Sequence, residues 1–155
     1  MQWCAKPDGK KHGRWAEWYP NGKVKTEGNY VDGKMEGRWV SYFDTGVKQL
    51  EGEYRGGRKQ GLWTLSYEEG QKNREEIHSV DAHETKWIAW RSDGQKWAEG
   101  MLLDHQPHGP YSEWHPNGVL SVQGQYEKGK KVGAWKNWSS DGAPSDVPQG
   151  DFTKE

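Results

Sequence analysis

Carboxylates recur at a fixed spacing in this chain. Glu27, Glu51, Glu75 and Glu99 stand 24 residues apart, and Gln123 takes the next place. Paired carboxylates hydrolyse glycosides when they lie about 5–10 Å apart. Two strands per interval would put successive members about 10 Å apart, at the outer limit. No second acidic column supplies the complementary role. Such a ladder could instead read a basic partner, but Lys23, Lys25, Lys48 and Lys72 are interleaved with it. We therefore read a solvated face of exposed ion pairs. Histidines give the other chemical pattern: His78 and His83, then His105 and His108 within "DHQPHG". A zinc site needs three or four such ligands at about 2.0–2.1 Å. A His-x-x-His in a Pro-containing turn does not establish one, so these read as exposed loop histidines, with no metal or cofactor. G-x-S-x-G, the phosphate-binding P-loop and HExxH are absent from the sequence. Cys4 is the single cysteine and has no evident base beside it. The expectation is a non-catalytic chain.

Aromatic residues carry the stronger signal. Trp15, Trp39, Trp63, Trp87, Tyr111 and Trp135 recur with the same 24-residue period, and so do Gly22, Gly46, Gly70, Gly94, Gly118 and Gly142. Gly13, Gly37, Gly61, Gly109 and Gly133 open the repeats, with Thr85 in the fourth copy. Six copies hold this frame without insertion, the mark of a repeat architecture.

Each unit reads as a β-hairpin. "PNG" at Pro20–Gly22 and Pro116–Gly118, and "SDG" at Ser92–Gly94 and Ser140–Gly142, are hairpin turn signals. A second turn, "VDGK" at Val31–Lys34, joins one unit to the next. No window carries helical apolar spacing. With type I′ turns at Asn21-Gly22, Asp93-Gly94 and Asn117-Gly118, Trp15 falls opposite Gly28, Trp39 opposite Gly52, Trp87 opposite Gly100 and Tyr111 opposite Gly124. The same rule pairs Trp90 with Trp97. A ring over a strand glycine covers bare backbone and offsets the weakness of glycine there. This column is therefore assigned a structural role. Trp18, Tyr42, Trp90, Trp97, Trp114 and Trp138 have the opposite parity. They are freer to bind, because exposed Trp and Tyr anchor interfaces.

Composition narrows the architecture. Only 31% of the 155 residues are hydrophobic, yet there are 11 tryptophans. Aliphatic residues are too few to fill the space between two packed sheets. We expect an all-β fold: an elongated array of six stacked antiparallel hairpins forming a single twisted sheet. Residues 1–12 read as a partial leading repeat, 13–142 as the repeat domain and 143–155 as a flexible tail. A net charge of −1 gives no reason to expect nucleic acid or a membrane surface as partner. No apolar run has signal-peptide or transmembrane length, which leads us to expect a cytoplasmic chain. An export signal upstream of this start, or lipid modification of Cys4, would change that.

"GRWAEWYPNGKVKTEGNYVDGKMEG" combines G-x-W, an N-G turn, E-G-x-Y and a closing D-G-K-x-x-G. It resembles the MORN-repeat variant typical of bacterial YwqK-type antitoxin proteins, over roughly Asp8 to Gly142. The resemblance implies stacked hairpins, a macromolecular partner and no catalytic residues. It makes another protein the expected partner, with a cognate toxin as the specific case. Self-association through the aromatic face or the sheet ends is a further expectation. The alternative is a cell-envelope or carbohydrate binder using spaced Trp platforms. The third repeat departs from the pattern, with "EEIH" at Glu75–His78 and "DAHET" at Asp81–Thr85, so the joint after it should be irregular. The expected binding surface is Trp90, Trp97 and Trp114 with Glu99, extended by Trp18 and Trp138.

Overall fold

The structure is a computed structural model and describes residues 2–5, 8–79 and 83–145. The chain divides into two compact units, Met1–Val80 and Asp81–Glu155. The first holds β1 (Gln2–Ala5), β2 (Lys11–Trp18), β3 (Val24–Val31), β4 (Lys34–Tyr42), β5 (Lys48–Arg55), β6 (Arg58–Ser66) and β7 (Lys72–His78). The second holds β8 (Glu84–Trp90), β9 (Lys96–Leu103), β10 (Gln106–Pro107), β11 (Gly109–Trp114), β12 (Leu120–Glu127) and β13 (Lys130–Asn137). Within each unit the strands pair antiparallel in chain order, with β10 and β11 both against β9. No helix occurs among the described residues. The architecture is the all-β hairpin array that the repeat frame predicts, and contacts run between strands adjacent in the sheet.

The turn at Asn21-Gly22 is not of the type expected of it. At Tyr19–Gly22 the Gly22 amide donates to the Tyr19 carbonyl at 3.0 Å and the Tyr19 amide to the Lys23 carbonyl at 2.8 Å. Gly22 has φ +83°, while Asn21 is not among the positive-φ residues. This is a three-residue loop built on a type I turn with glycine in the left-handed region, not type I′. Pro20 supplies the φ that the first central position wants. The type I′ turns lie on the other side of the repeat. Asp32-Gly33 (φ 51° and 82°), Gly56-Gly57, Asp104-His105 and Lys128-Gly129 all have both central residues at positive φ. The longer loop shifts pairing by one residue beside the turn, giving Trp18↔Val24. A bulge at Lys25 then restores Glu17↔Thr26 and Trp15↔Gly28. Trp90 accordingly pairs with Lys96 and not with Trp97, which becomes the bulge residue.

A second bulge explains the repeat's glycines. Between Glu27↔Val40 and Asn29↔Glu36, three residues of β4, Gly37-Arg38-Trp39, oppose the single residue Gly28 of β3. Gly37 sits at φ +70°, where any other L-residue except Asn or Asp is strained. This kink lowers the Trp39 ring onto Gly28: a Cβ on Gly28 would fall 2.2 Å from the indole. Trp63 lies the same way on Gly52 and Trp135 on Gly124, each at 2.2 Å. The ring on each glycine therefore comes from the next repeat and not from the glycine's own hairpin partner, as the register alone suggests. Gly100 is the exception. Its Cβ position is 3.1 Å from both Trp87 and Tyr111. The indole N–H of Trp39 donates to Asn29 O at 3.2 Å, and that of Trp63 to Glu53 O at 3.1 Å.

This stitch lets a single layer bury its own rings. Trp63 is 1% exposed, Trp39 5% and Trp135 6%. Tyrosines close over them edge-on, with Tyr30–Trp39 at 5.1 Å, Tyr54–Trp63 at 4.8 Å and Tyr126–Trp135 at 5.0 Å. Such pairs add about 0.5–1.5 kcal/mol each beyond area burial. Between the third and fourth repeats both halves of the stitch are missing from the sequence: Glu76 stands in the glycine column and Thr85 in the bulge-glycine column. The chain's division into two units falls at this point.

Candidate functional site

The acidic column lies on the face opposite the buried rings, and its members are ion-paired. Glu51 accepts from Lys48 Nζ at 2.8 Å and Arg38 Nε at 2.6 Å. Glu99 accepts from Lys96 Nζ at 2.8 Å, and Lys72 bonds Glu75. Glu27 accepts from the Tyr42 hydroxyl at 3.0 Å and lies 3.6 Å from Arg14. Residues three apart on a regular strand point to opposite faces. The one-residue bulge near each turn puts Lys48 and Glu51 on one face, and likewise Lys72 with Glu75 and Lys96 with Glu99. The hydrogen bond from Lys48 comes first in holding the Glu51 carboxyl below the usual carboxylate range, with Arg38 adding to it against partial burial. The column is thus a series of local ion pairs, as the interleaved lysines suggest.

The opposite-face aromatics separate by unit. Trp18, at the end of β2 in the first unit, is 40% exposed. The others expected at the site lie in the second unit. Trp97 is 37% exposed. It occupies the turn-side bulge, where the equivalent residues are Lys25, Gln49, Asn73 and Ser121. Trp114 pairs with Leu120 and carries the Lys96 ammonium 4.0 Å from its ring centroid. Trp114, Lys96 and Glu99 therefore form one connected group. The cation over Trp114 was missed at the sequence level. Lys48 opposite Tyr42 and Lys96 opposite Trp90 place a lysine on the aromatic face in those two hairpins, which was the available signal. Trp138 is half-buried and donates its amide to Ser121 O at 2.9 Å. Trp138 also bridges Pro144, and Ser145 donates to Asn137 O at 2.9 Å, so residues 143–145 begin a return strand. Residues 146–155 of the expected tail lie outside the described residues.

The turns that carry these rings are tied from repeat to repeat. Tyr19 donates to Tyr42 O at 2.8 Å, and Arg91 to Trp114 O at 2.8 Å, while His115 Nε2 meets Trp138 O at 2.7 Å. The backbone of Trp114 and Trp138 is thereby held from the preceding turn, which fixes where their rings start.

The histidines do not converge. His78 Nε2 lies 3.0 Å from Glu76 in the first unit, and His83 Nδ1 2.8 Å from Asp104 in the second. His105 occupies a type I′ turn at φ 65°, and the His108 amide donates to Met101 O at 3.0 Å. Among the described residues no group of three or more His, Cys, Asp or Glu side chains is placed to hold a metal ion.

A family model described as the MORN repeat variant matches residues 11–32 and 107–128. The two stretches begin 96 residues apart, four periods of 24, and each starts two residues before the opening glycine of a repeat. Repeats of this kind are protein- or membrane-binding modules without catalytic activity. No curated protein matches the chain.

Proposed function

We propose that the chain is a non-catalytic repeat module that binds another protein through the opposite face of its second unit, with Trp97 as the central contact and Trp90, Trp114, Trp138 and Glu99 around it. Trp18 would serve a lesser contact on the first unit. The observation that carries this reading is Trp97. The structure needs nothing aromatic there, since polar residues fill the same bulge in the other repeats, yet an indole stands 37% exposed beside the Lys96–Glu99 pair. Exposed Trp anchors ringed by polar groups are typical of interface centres. Neutralising a toxic protein is the finer form of the proposal, supported by the likeness to the MORN-repeat variant. Trp97→Ser tests the reading, because Ser121 already occupies the equivalent bulge. Wild type and variant, shown by circular dichroism to be equally folded, are used to capture partners from the cell that makes the protein. One protein retained by wild type and at least about ten times less by the variant is the expected result, the loss of a single strong anchor. Equal retention by both, or retention of a polysaccharide instead, overturns it. Co-expression of the captured protein with and without this chain, scored by growth, decides the toxin-neutralising form.

A further inference from the structure

The described strands begin and end on half a hairpin. β13 is a first strand: it carries the bulge glycine Gly133 at φ +66° and the ring of Trp135, as β4 carries Gly37 and Trp39. In the other repeats such a strand is paired on its far side by a second strand, as in Gly37↔Tyr54, Arg38↔Glu53, Trp39↔Gly52 and Val40↔Glu51. β13 has only the start of one. Pro144 bridges Trp138 and the Ser145 amide donates to Asn137 O, but no described residue pairs the far side of Gly133–Lys136. The sequence that follows does not repeat a second strand. Pro148 stands in the glycine column and Gly150 in the tyrosine column, and a proline has no amide to give the ladder.

Backbone groups alternate sides along a strand. The Trp138 amide points inward to Ser121 O, and Asn137 O points outward to Ser145. The N–H and C=O of Trp135 and Gly133 therefore point outward as well, and such an edge is a template for pairing with another chain. The Trp135 ring lies back on Gly124 of β12 and does not cover this edge. β1 is the complementary half. Its pairing with β2 puts Gly13-Arg14-Trp15 opposite the one residue between Gln2↔Ala16 and Cys4↔His12, the same bulged register that β3 makes with β4. β1 is thus a second strand, and Asp8-Gly9-Lys10 after it match Asp32-Gly33-Lys34 after β3. Its other edge has no partner among the described residues.

We infer that β13 of one copy pairs with β1 of a second copy, so that two chains complete one ladder head to tail. The register follows from that of Gly13–Ala16 on β3. With Gln2, Cys4 and Ala5 equivalent to Glu27, Asn29 and Tyr30, the new pairs are Gly133↔Ala5, Ala134↔Cys4, Trp135↔Trp3 and Lys136↔Gln2 of the next copy. These pairs use all of β1 and match the open stretch of β13. The next position, Asn137, is the one that Ser145 already holds. Lys136 then has glutamine opposite it on both sides, Gln123 in its own chain and Gln2 of the next, so no like charges are opposed. Each joined copy still offers one free edge of each kind, a heterologous contact that extends and does not close on itself as a two-fold dimer does. A contact of this size belongs to the weak, transient class. It uses neither Trp97 nor the face assigned to a protein partner.

Cys4 makes the register testable. Ala134 and Cys4 of the next copy form a non-hydrogen-bonded pair, with Cα atoms about 4.5 Å apart, within the range that a disulfide spans. Ala134 is exposed, and arginine holds the equivalent place at Arg14 and Arg38, so Ala134→Cys leaves the strand intact. Under mild oxidation the full-length Ala134→Cys chain should give a ladder of covalent dimers, trimers and longer species on a non-reducing gel. In a mixture of isotopically light and heavy chains, mass spectrometry should find Cys4 bonded to position 134 of another copy. Ser92→Cys, in an exposed turn, controls for random collision and should form longer species at least about ten times more slowly, lacking the disulfide geometry. Gln2→Lys opposes two lysines and should slow the ladder by up to about fivefold, and adding Lys136→Glu should restore it. The inference is overturned if the bond forms only within one chain, if Ser92→Cys gives multimers as fast as Ala134→Cys, or if Gln2→Lys leaves the rate unchanged.

Discussion

The stitch between repeats makes a quantitative prediction about two glycines in the same column. Gly52 and Gly100 occupy equivalent strand positions, and neither has positive φ, so alanine strains the backbone at neither. The difference is what the new methyl meets. At Gly52 the Cβ would lie 2.2 Å from the Trp63 indole. Ordinary carbon contacts are about 3.5–4.0 Å, so the ring must retreat by about 1.3 Å or more. Trp63 has nowhere soft to go: it is 1% exposed, bonded to Glu53 O at 3.1 Å and closed over by Tyr54 at 4.8 Å. Overpacking costs about 1–3 kcal/mol, and a weakened indole hydrogen bond about 0.5–1.5 kcal/mol more. Reduced freedom of the unfolded chain returns about 0.4–1 kcal/mol. The net expectation for Gly52→Ala is a loss of about 0.5–4 kcal/mol, toward the upper end because the ring has so little room to move. At Gly100 the methyl would meet Trp87 and Tyr111 at 3.1 Å, a displacement of a few tenths of an ångström, and the net loss should stay below about 1 kcal/mol. Because the chain divides into two units, strand-resolved amide exchange is a better readout than one melting temperature. Opening free energies of β5–β6 in Gly52→Ala are compared with those of β9–β11 in Gly100→Ala. Equal losses in the two variants would refute the account of the rings.

Two other perturbations separate its parts. Gly37→Ala finds open space around its Cβ but φ at +70°, so its cost of about 1–2 kcal/mol is purely conformational, and Gly37→Asn should recover part of it. Urea unfolding of the two variants checks this, and equal midpoints would show that the bulge glycine is not held in the left-handed region. The Glu76 carboxylate is pushed up by burial, but Arg74, His78 and Lys59 outweigh this and hold it below its ordinary value of 4.5. A lowered folded-state value means the contribution is present above pH 4.5 and is lost as pH falls through the folded value. Exchange protection of β6–β7 should therefore fall on acidification in wild type and fall less in Glu76→Gln. Identical acid limbs in the two proteins would count against this network.

Much of the fold is legible because the period-24 frame and the turn residues fix strand count and order. The register of Gly13–Glu17 against Thr26–Tyr30 is legible too, although through two departures that cancel: the loop is one residue longer than a type I′ turn, and the bulge at Lys25 absorbs the difference. Only the residues between turn and bulge reveal the compensation. Trp90 and Trp97 sit in that window, which is why their expected pairing fails. Ownership of the rings was hidden for another reason. Turn geometry relates strands within a hairpin, whereas the ring on Gly28 arrives from β4 across the next turn, after a bulge that simple counting cannot place. The lysine–glutamate pairs were obscured similarly, since three-residue spacing places them on opposite faces until a bulge is inserted.

The self-burial of the rings changes which residues are informative about function. A scarcity of aliphatic residues suggests that one aromatic face must be covered by a partner. Yet Trp39, Trp63 and Trp135 are almost wholly buried without a second layer, because flat rings rest on glycine backbone and tyrosines close over them. The aromatic column therefore gives no argument for a partner. What remains to be explained is the small set of large apolar side chains that the stitch leaves outside: Trp18, Val31, Leu62, Ile77 and Trp97. The last three stand where other copies of the repeat carry polar or charged residues, Arg38 for Leu62, Glu53 for Ile77 and Ser121 for Trp97. A repeat fold in which each unit could have been polar at these places, and is not, makes the third and fourth repeats the place to test for the recognition proposed above.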